Sequence, residues 1–352
     1  MKVIRIHPRD NVAVALEDVA GGEVLSLDGL ELTAAENVRR GHKIALAPIS
    51  AGESIMKYGC AIGTAKEDIP QGAWVHVHNV RTGLSESGEY RYDHKTYDLP
   101  SVKPRTFRGY RRADGRAAIR NELWIVPTVG CVNSIAQRLV RENRHLVRGT
   151  VEGLYTFPHP FGCSQMGDDH AQTRRLLAAL ARHPNAGGVL VLGLGCENLT
   201  MEQFKAELGP YDENRVKFLV CQDVPDEIAA GGALLKELAD YAGGFQRQDI
   251  PAAELVVGMK CGGSDGLSGI TANPTVGRFS DRLIALGGST VLTEVPEMFG
   301  AESILFERCQ SEDVFGKAVK MIEDFKGYFT SHNQVVYENP SPGNKAGGIT
   351  TL

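Results

Sequence analysis

Apolar and polar positions change their rhythm once along this chain, near residue 109. Before it, residues 1 to about 95 read as short β-runs punctuated by glycine. The opening MKVIRIHPRD alternates like a strand, and an apolar residue, a glycine three later and an apolar residue three after that recur at Val19, Gly22 and Leu25, at Ile49, Gly52 and Ile55, and at Ile69, Gly72 and Val75. Each copy reads as a turn feeding a strand, which predicts a compact all-β module over residues 1–95. Residues 96–108 carry two prolines and no periodicity, the pattern of a linker.

From about 109, apolar runs alternate with helical stretches such as SIAQRLVREN from Ser134, DDHAQTRRLLAALARH from Asp168 and PDEIAAGGALLKELADYA from Pro225. Strand and helix in alternation predict an α/β body with largely parallel sheets. A break at residues 243–254, GGFQRQDIPAAE, divides that body into domains at 109–247 and 248–352. The last stretch, YENPSPGNKAGGITTL, is turn-rich. Such a loop normally leads into another element, so a further C-terminal segment is expected.

Five of the seven cysteines sit at the downstream ends of apolar runs: Cys131, Cys163, Cys196, Cys221 and Cys261. From 131 to 163 is 32 residues, from 163 to 196 is 33, and from 196 to 261 is 65, about one unit or two. Ligands of open α/β sheets bind outside the carboxyl ends of the strands, so thiols placed there are expected to line a site.

Composition changes this picture little. With 42% hydrophobic and 23% charged residues the chain can bury a core, and 352 residues predict more than one domain. A net charge of -5 excludes a general field for nucleic acid or anionic membrane. Lys103, Arg105, Arg108, Arg111, Arg112, Arg116 and Arg120 form a local basic run, read either as a solvated connector or as a means of steering an anionic substrate. Neither a signal peptide nor an apolar membrane span is present, so a cytosolic protein with free or metal-bound thiols is expected.

Several groups are suited to chemistry. In Trp74-Val75-His76-Val77-His78 the alternation predicts His76 and His78 on one face of a strand, about 7 Å apart and able to share a metal ion. His42, Lys43, Lys57 and Tyr58 follow glycine-rich turns and are candidates for substrate contact. FPHPFGCSQMGDDH brings His159, Cys163, Asp168, Asp169 and His170 into one loop and helix start; capping accounts for an aspartate but not for the thiol and imidazoles. GLGCEN, with Cys196, Glu197 and Asn198, lacks the third glycine of a dinucleotide fingerprint. The loop Lys260, Cys261, Gly262, Gly263, Ser264, Asp265, Gly266 can cradle a carboxylate or phosphate with its backbone N–H groups. Glu294, after an apolar run and three residues before Glu297, is a candidate base or a helix cap.

The strings HVHN, NELWIVPTVGCVN, FGCSQMGDDH, GLGCEN, CGGSDGLSGITANP, TEVPEMFGAE and ENPSPGNKAGGITTL resemble those of the altronate and galactarate dehydratases over essentially the whole chain. That resemblance implies a SAF-type β-clip over residues 1–95 and the body of a hydro-lyase after it. It also implies loss of water from a sugar acid to give a 2-keto-3-deoxy acid, with Fe2+ or Mn2+. On this expectation His76 and His78, helped by Cys163, Cys196 or Cys261, hold the metal. Lys57 and the 262–266 loop anchor the carboxylate, with His42, Lys43 and Asn198 at the substrate, and His170, Glu294 or Lys57 moves the proton. An iron–sulfur cluster on strand-end thiolates is the alternative cofactor. A small-molecule sugar acid is the expected partner and a homo-oligomer the expected assembly.

Overall fold

The computed structural model describes residues 2–82, 90–260, 265–336 and 341–350. The chain forms two compact units, one of residues 1–102 with 256–352 and the other of residues 103–255. The β-module and the C-terminal region, expected as separate domains, thus fall within one unit.

The N-terminal part is all antiparallel. Strands β1 (Val3–Ile4), β2 (Val12–Ala15), β3 (Val24–Leu27), β4 (Leu30–Thr33), β5 (Lys43–Ala45), β6 (Ser54–Lys57), β7 (Cys60–Ala65), β8 (Trp74–Val75) and β9 (Val80–Arg81) make a sheet ordered β1-β2-β5-β8, the hairpin β3–β4 and the sheet β6-β7-β9. The glycine pattern is the trace of an internal duplication, offset by thirty residues as far as β6 and by thirty-one after the bulge in β7. Val19 and Val38 exchange backbone hydrogen bonds, as do Ile49 and Ile69. The Glu23 carboxylate accepts from Ala20 N–H and that of Glu53 from Ser50 N–H; Asn37 accepts from Gly21 N–H and Asp68 from Ala51 N–H. Ile69 and Gly72 therefore close the second copy, just as Val38 and Gly41 close the first, and β5 opens the second. Each copy buries its own apolar cluster, around Leu25 and Leu32 in one and around Ile55 and Ile69 in the other.

In the second unit, β10 (Thr106–Arg111), β11 (Ala117–Ala118), β12 (Glu122–Pro127), α1 (Asn133–Glu142), β13 (Gly153–Thr156), α2 (Gly167–Arg182), β14 (Ala186–Gly193), α3 (Met201–Leu208), β15 (Val216–Val220), α4 (Glu227–Gly243) and β16 (Gln248–Pro251) follow in order. The main sheet is parallel, ordered β13-β12-β14-β15. Leu123, Ile125, Leu190 and Leu192 face α1 and α4, while Trp124, Val126, Val189 and Val191 face α2 and α3. Burial on both faces is why these strands read as unbroken apolar runs.

The end of the expected linker and the expected break at 243–254 are instead paired strands, with Phe107 opposite Ile250. Most of the basic run is spent on structure. The Arg112 guanidinium is buried and donates to Asn121 Oδ1 and the carbonyls of Pro184 and Arg120; Arg111 pairs with Glu254 and Arg116 with Asp114.

The first unit resumes with β17 (Val256–Met259), α5 (Ala272–Ala285), β18 (Ser289–Leu292), α6 (Glu302–Phe306), α7 (Glu312–Ser331) and α8 (Pro342–Ala346), β17 and β18 pairing in parallel. Residues just before the expected linker pack on α6 and its following turn: the Tyr90 ring meets Phe306, the Tyr92 hydroxyl donates to Cys309 O, and Lys95 pairs with Glu307. Beneath them Lys326 and Glu302 form an ion pair of 3.0 Å, 5% and 7% exposed. No helix among the described residues is long and apolar enough to cross a membrane. Lys326→Ala should cost about 3–5 kcal/mol by leaving the buried Glu302 carboxylate, still bonded by Gly300 N–H and the Tyr90 hydroxyl, without its counter-charge, and Lys326→Met with Glu302→Leu far less. Denaturant unfolding measures both, and equal losses would contradict the assignment.

Candidate active site

The duplication shows where the β-module departs from the needs of folding. Ala13 and Leu27 of the first copy are core residues, 0% and 4% exposed; their counterparts in the second are Lys43 and Lys57, 1% and 8% exposed. An amine in a core position is costly unless something uses it. Burial, with the charge of Lys57 nearby, pushes the Lys43 amine down to about 7. Burial likewise lowers Lys57 to about 8, against the opposing pull of the Asp10 carboxylate.

Around these amines the aromatic side chains form a connected cluster. The Trp74 indole N–H donates to His42 Nδ1 at 3.0 Å, so His42 Nε2 carries the proton and donates to Ala346 O at 3.1 Å. His42 is therefore a neutral clasp with both nitrogens committed, and burial lowers its pKa. The His76 ring stacks on Trp74 at 5.1 Å and is buried, with Nδ1 lacking a partner among the described residues. Burial first, then Lys43 and the neighbouring imidazoles, push His76 down to about 4. The expected strand carrying both histidines ends at Val75: His76–Asn79 form a turn, closed by Asn79 bonding to His76 N–H and Trp74 O, which leaves His78 exposed.

Three glycine-bearing loops meet beside the lysines. A Cβ on Gly266 would lie 2.5 Å from Gly347 O and 2.6 Å from Gly41 O, and one on Gly348 would lie 2.3 Å from Gly41 O. Only hydrogen at these positions permits such backbone contact. Lys43 Nζ donates to Gly348 O at 2.9 Å. At this junction opens a cleft of about 520 Å³ lined by Arg40, Gly41, Asp265, Gly266, Leu267, Thr271 and Gly347. Asp265, expected at the substrate, lies in the cleft wall and uses one carboxylate oxygen to cap Leu267 and Ser268. Cys261, Gly262, Gly263 and Ser264 lie outside the described residues. Glu294 stands just past β18 in a left-handed conformation, φ 63°, paired with Lys260 at 2.6 Å.

In the second unit, the order β13-β12-β14-β15 puts the topological switch point between β12 and β14. Cys131, Cys163 and Cys196 are all exposed in the loops that leave β12, β13 and β14. Those loops are stitched together: Gly130 N–H donates to Phe161 O at 2.9 Å and Asn198 N–H to Gly162 O at 3.2 Å. Asn198 spends its side chain on the same task, accepting from Ser164 N–H. At the switch point Glu197 is buried and accepts from the Thr128 hydroxyl at 2.7 Å and from Leu194 and Gly195 N–H. Burial alone would raise its pKa, but these donors hold it below the usual value. His159 is committed to Pro127 O and Phe161 N–H, whereas His170 Nε2, on the first turn of α2, is buried and has no partner among the described residues.

Among the described residues no three histidine, cysteine or acidic side chains converge on one point as a metal cage requires. His76 offers one uncommitted nitrogen, while His78 faces outward and His42 is used up. Of the donors expected for Fe2+, Mn2+ or a cluster, Cys261 lies outside the described residues, and the described ones form no such cage.

Three profiles match the chain: an altronate/galactarate dehydratase SAF domain over residues 1–83, a D-galactarate dehydratase/altronate hydrolase second domain over 109–243, and a D-galactarate/altronate dehydratase C-terminal domain over 252–352. The chain is 56% identical to the altronate dehydratase of Bacillus subtilis (strain 168), over 99% of this chain and 71% of that protein. It is 53% identical to that of Escherichia coli (strain K12), over 100% and 72%. It is 33% identical to the galactarate dehydratase (L-threo-forming) of Escherichia coli (strain K12), over 99% and 70%.

The buried amines make a stability prediction independent of any reaction. Lys43 holds its proton far more weakly in the folded chain than at its ordinary value of 10.5. Between about pH 7 and about 10, unfolded chains carry protons that folded ones lack, so stability rises with pH and is lost again as pH falls towards 7. Lys43→Met should flatten that rise in urea midpoints measured across the window. An unchanged slope would contradict the burial argument.

Proposed function

The chain belongs to the D-galactarate dehydratase/altronate hydrolase family, and we propose from that premise that its buried lysine pair serves a hydro-lyase reaction: removal of water from D-altronate to give 2-dehydro-3-deoxy-D-gluconate. The observation that carries the site assignment is the replacement of core Ala13 and Leu27 by Lys43 and Lys57 in the duplicate.

The reaction needs a base for the proton at C2, a cation for the charge that then builds on the carboxylate, and an acid for the departing C3 hydroxyl. Two amines with pKa values of about 7 and about 8 divide the first two tasks slightly above neutrality. Lys43, the more easily deprotonated, takes the C2 proton. Lys57, still charged, holds the carboxylate. As the C3–O bond breaks, the hydroxyl leaves with a proton from an acid at the cleft, and the resulting enol becomes the 2-keto acid. When bound, a divalent metal would supply Lewis-acid polarisation of the carboxylate, but the donors described do not form its cage and no step here depends on one. Glu294 remains the candidate for the acid through its place at the β18 end.

The sugar acid is recognised here as an anion with a hydroxylated tail, which suits the mixed Arg40 and Asp265 lining of the cleft. Keto-acid formation from altronate and galactarate tests the reading. Lys43→Met should lower kcat on altronate by about 10²–10⁴-fold, the usual worth of a general base. The pH profile of kcat should be a narrow bell with limbs near 7 and 8, the Lys43 proton lost on the acid side and the Lys57 charge lost on the alkaline side. Unimpaired turnover by Lys43→Met would refute its role.

A further inference from the structure

The hairpins β3–β4 and β6–β7 are counterparts in the duplication and have the same two-residue turn. Asp28 and Gly29 take φ of 49° and 80°, and Tyr58 and Gly59 take 61° and 73°. Both turns need left-handed backbone at each central position, where asparagine, aspartate and glycine are favoured and a bulky aromatic is disfavoured. Asp28 obeys that rule and Tyr58 breaks it. The breach falls beside Lys57, itself a departure from the core Leu27 of the first copy.

What surrounds Tyr58 fits a task. Lys57 Nζ lies 4.6 Å from the centre of the Tyr58 ring. A Cβ on Gly269 would sit 2.0 Å from the Tyr58 hydroxyl, so the phenol abuts the 265–271 loop that lines the cleft. The turn is braced from behind: Gly59 N–H donates to Asp10 Oδ1 at 2.7 Å, and the His7 ring packs where a Cβ on Gly59 would point. Strain held in place by surrounding structure beside a candidate site is the pattern expected of a working residue.

We propose that Tyr58 is a positioning residue, its ring held in strained backbone so as to fix the Lys57 amine and set the 265–271 wall of the cleft. This rests on the hydro-lyase reading for its kinetic consequence, though not for its structural one.

Tyr58→Asn restores a side chain the turn favours, and Tyr58→Phe keeps the ring. Tyr58→Asn should unfold at the same temperature or higher, yet lose about a hundredfold in kcat on altronate with KM little changed. Tyr58→Phe should retain most of the wild-type kcat. Wild-type kcat in Tyr58→Asn, a loss of rate that tracks a falling midpoint, or equal impairment in both variants would each overturn the proposal. Acetylation of Lys57 by acetic anhydride, followed across pH by mass spectrometry, reads the same claim without turnover. Its midpoint should lie below that of an ordinary lysine in the wild type and shift in Tyr58→Asn, and an unmoved midpoint overturns the proposal. Should the wild type convert no altronate, the hydro-lyase reading falls while the Lys57 profile still decides the role of Tyr58.

Discussion

Two ammonium groups carried into the interior of a small β-module constrain everything around them. Lys43 and Lys57 occupy positions that the duplicate copy fills with alanine and leucine, so their burial serves no folding purpose that the copy does not already meet. The fold tolerates them through a few directed contacts, namely Gly348 O on Lys43 and the Tyr58 ring and Asp10 carboxylate about Lys57. The stretch after α8 lies close enough to make the first of these only because Gly41, Gly266 and Gly348 let backbones touch. An amine that sheds its proton near neutrality is thus a consequence of packing.

The other unit presents the second place where ligands gather in such folds. Its switch point is not an open phosphate cradle, since the buried Glu197 already occupies the backbone N–H groups of Leu194 and Gly195. A carboxylate there repels an anion that would otherwise use those donors. What remains exposed is a row of thiols at the ends of three neighbouring strands, tied together by loop-to-loop hydrogen bonds. On the proposed reading, that contrast favours the lysine unit for anion chemistry.

Much of the architecture could be read in one dimension. The doubly covered sheet announced itself in runs such as VLVLGLG, and the three helices after Ser134, Asp168 and Pro225 were visible from periodicity and capping residues. Among the described residues Cys221 directly follows β15, and Cys131 and Cys196 stand within four residues of the ends of β12 and β14, whereas Cys163 lies seven past β13. The 248–251 strand was hidden because QDIP carries only one inward apolar residue, Ile250, and its partner strand is distant in sequence. The histidine pair failed as a strand because the Asn79 side chain captures the backbone of Trp74 and His76 and turns the chain early. Lys43 and Lys57 were visible as residues but not as buried ones; aligning the module with itself at thirty residues would have exposed both, and Tyr58 as well.

A crystal structure of the protein with altronate bound tests the central claim most directly. The account predicts the substrate carboxylate within hydrogen-bonding distance of Lys57 Nζ, and C2 facing Lys43 Nζ, with the Gly348 carbonyl displaced from it. Altronate seated instead at the thiol-lined switch point, with both lysines still buried and untouched, would contradict it.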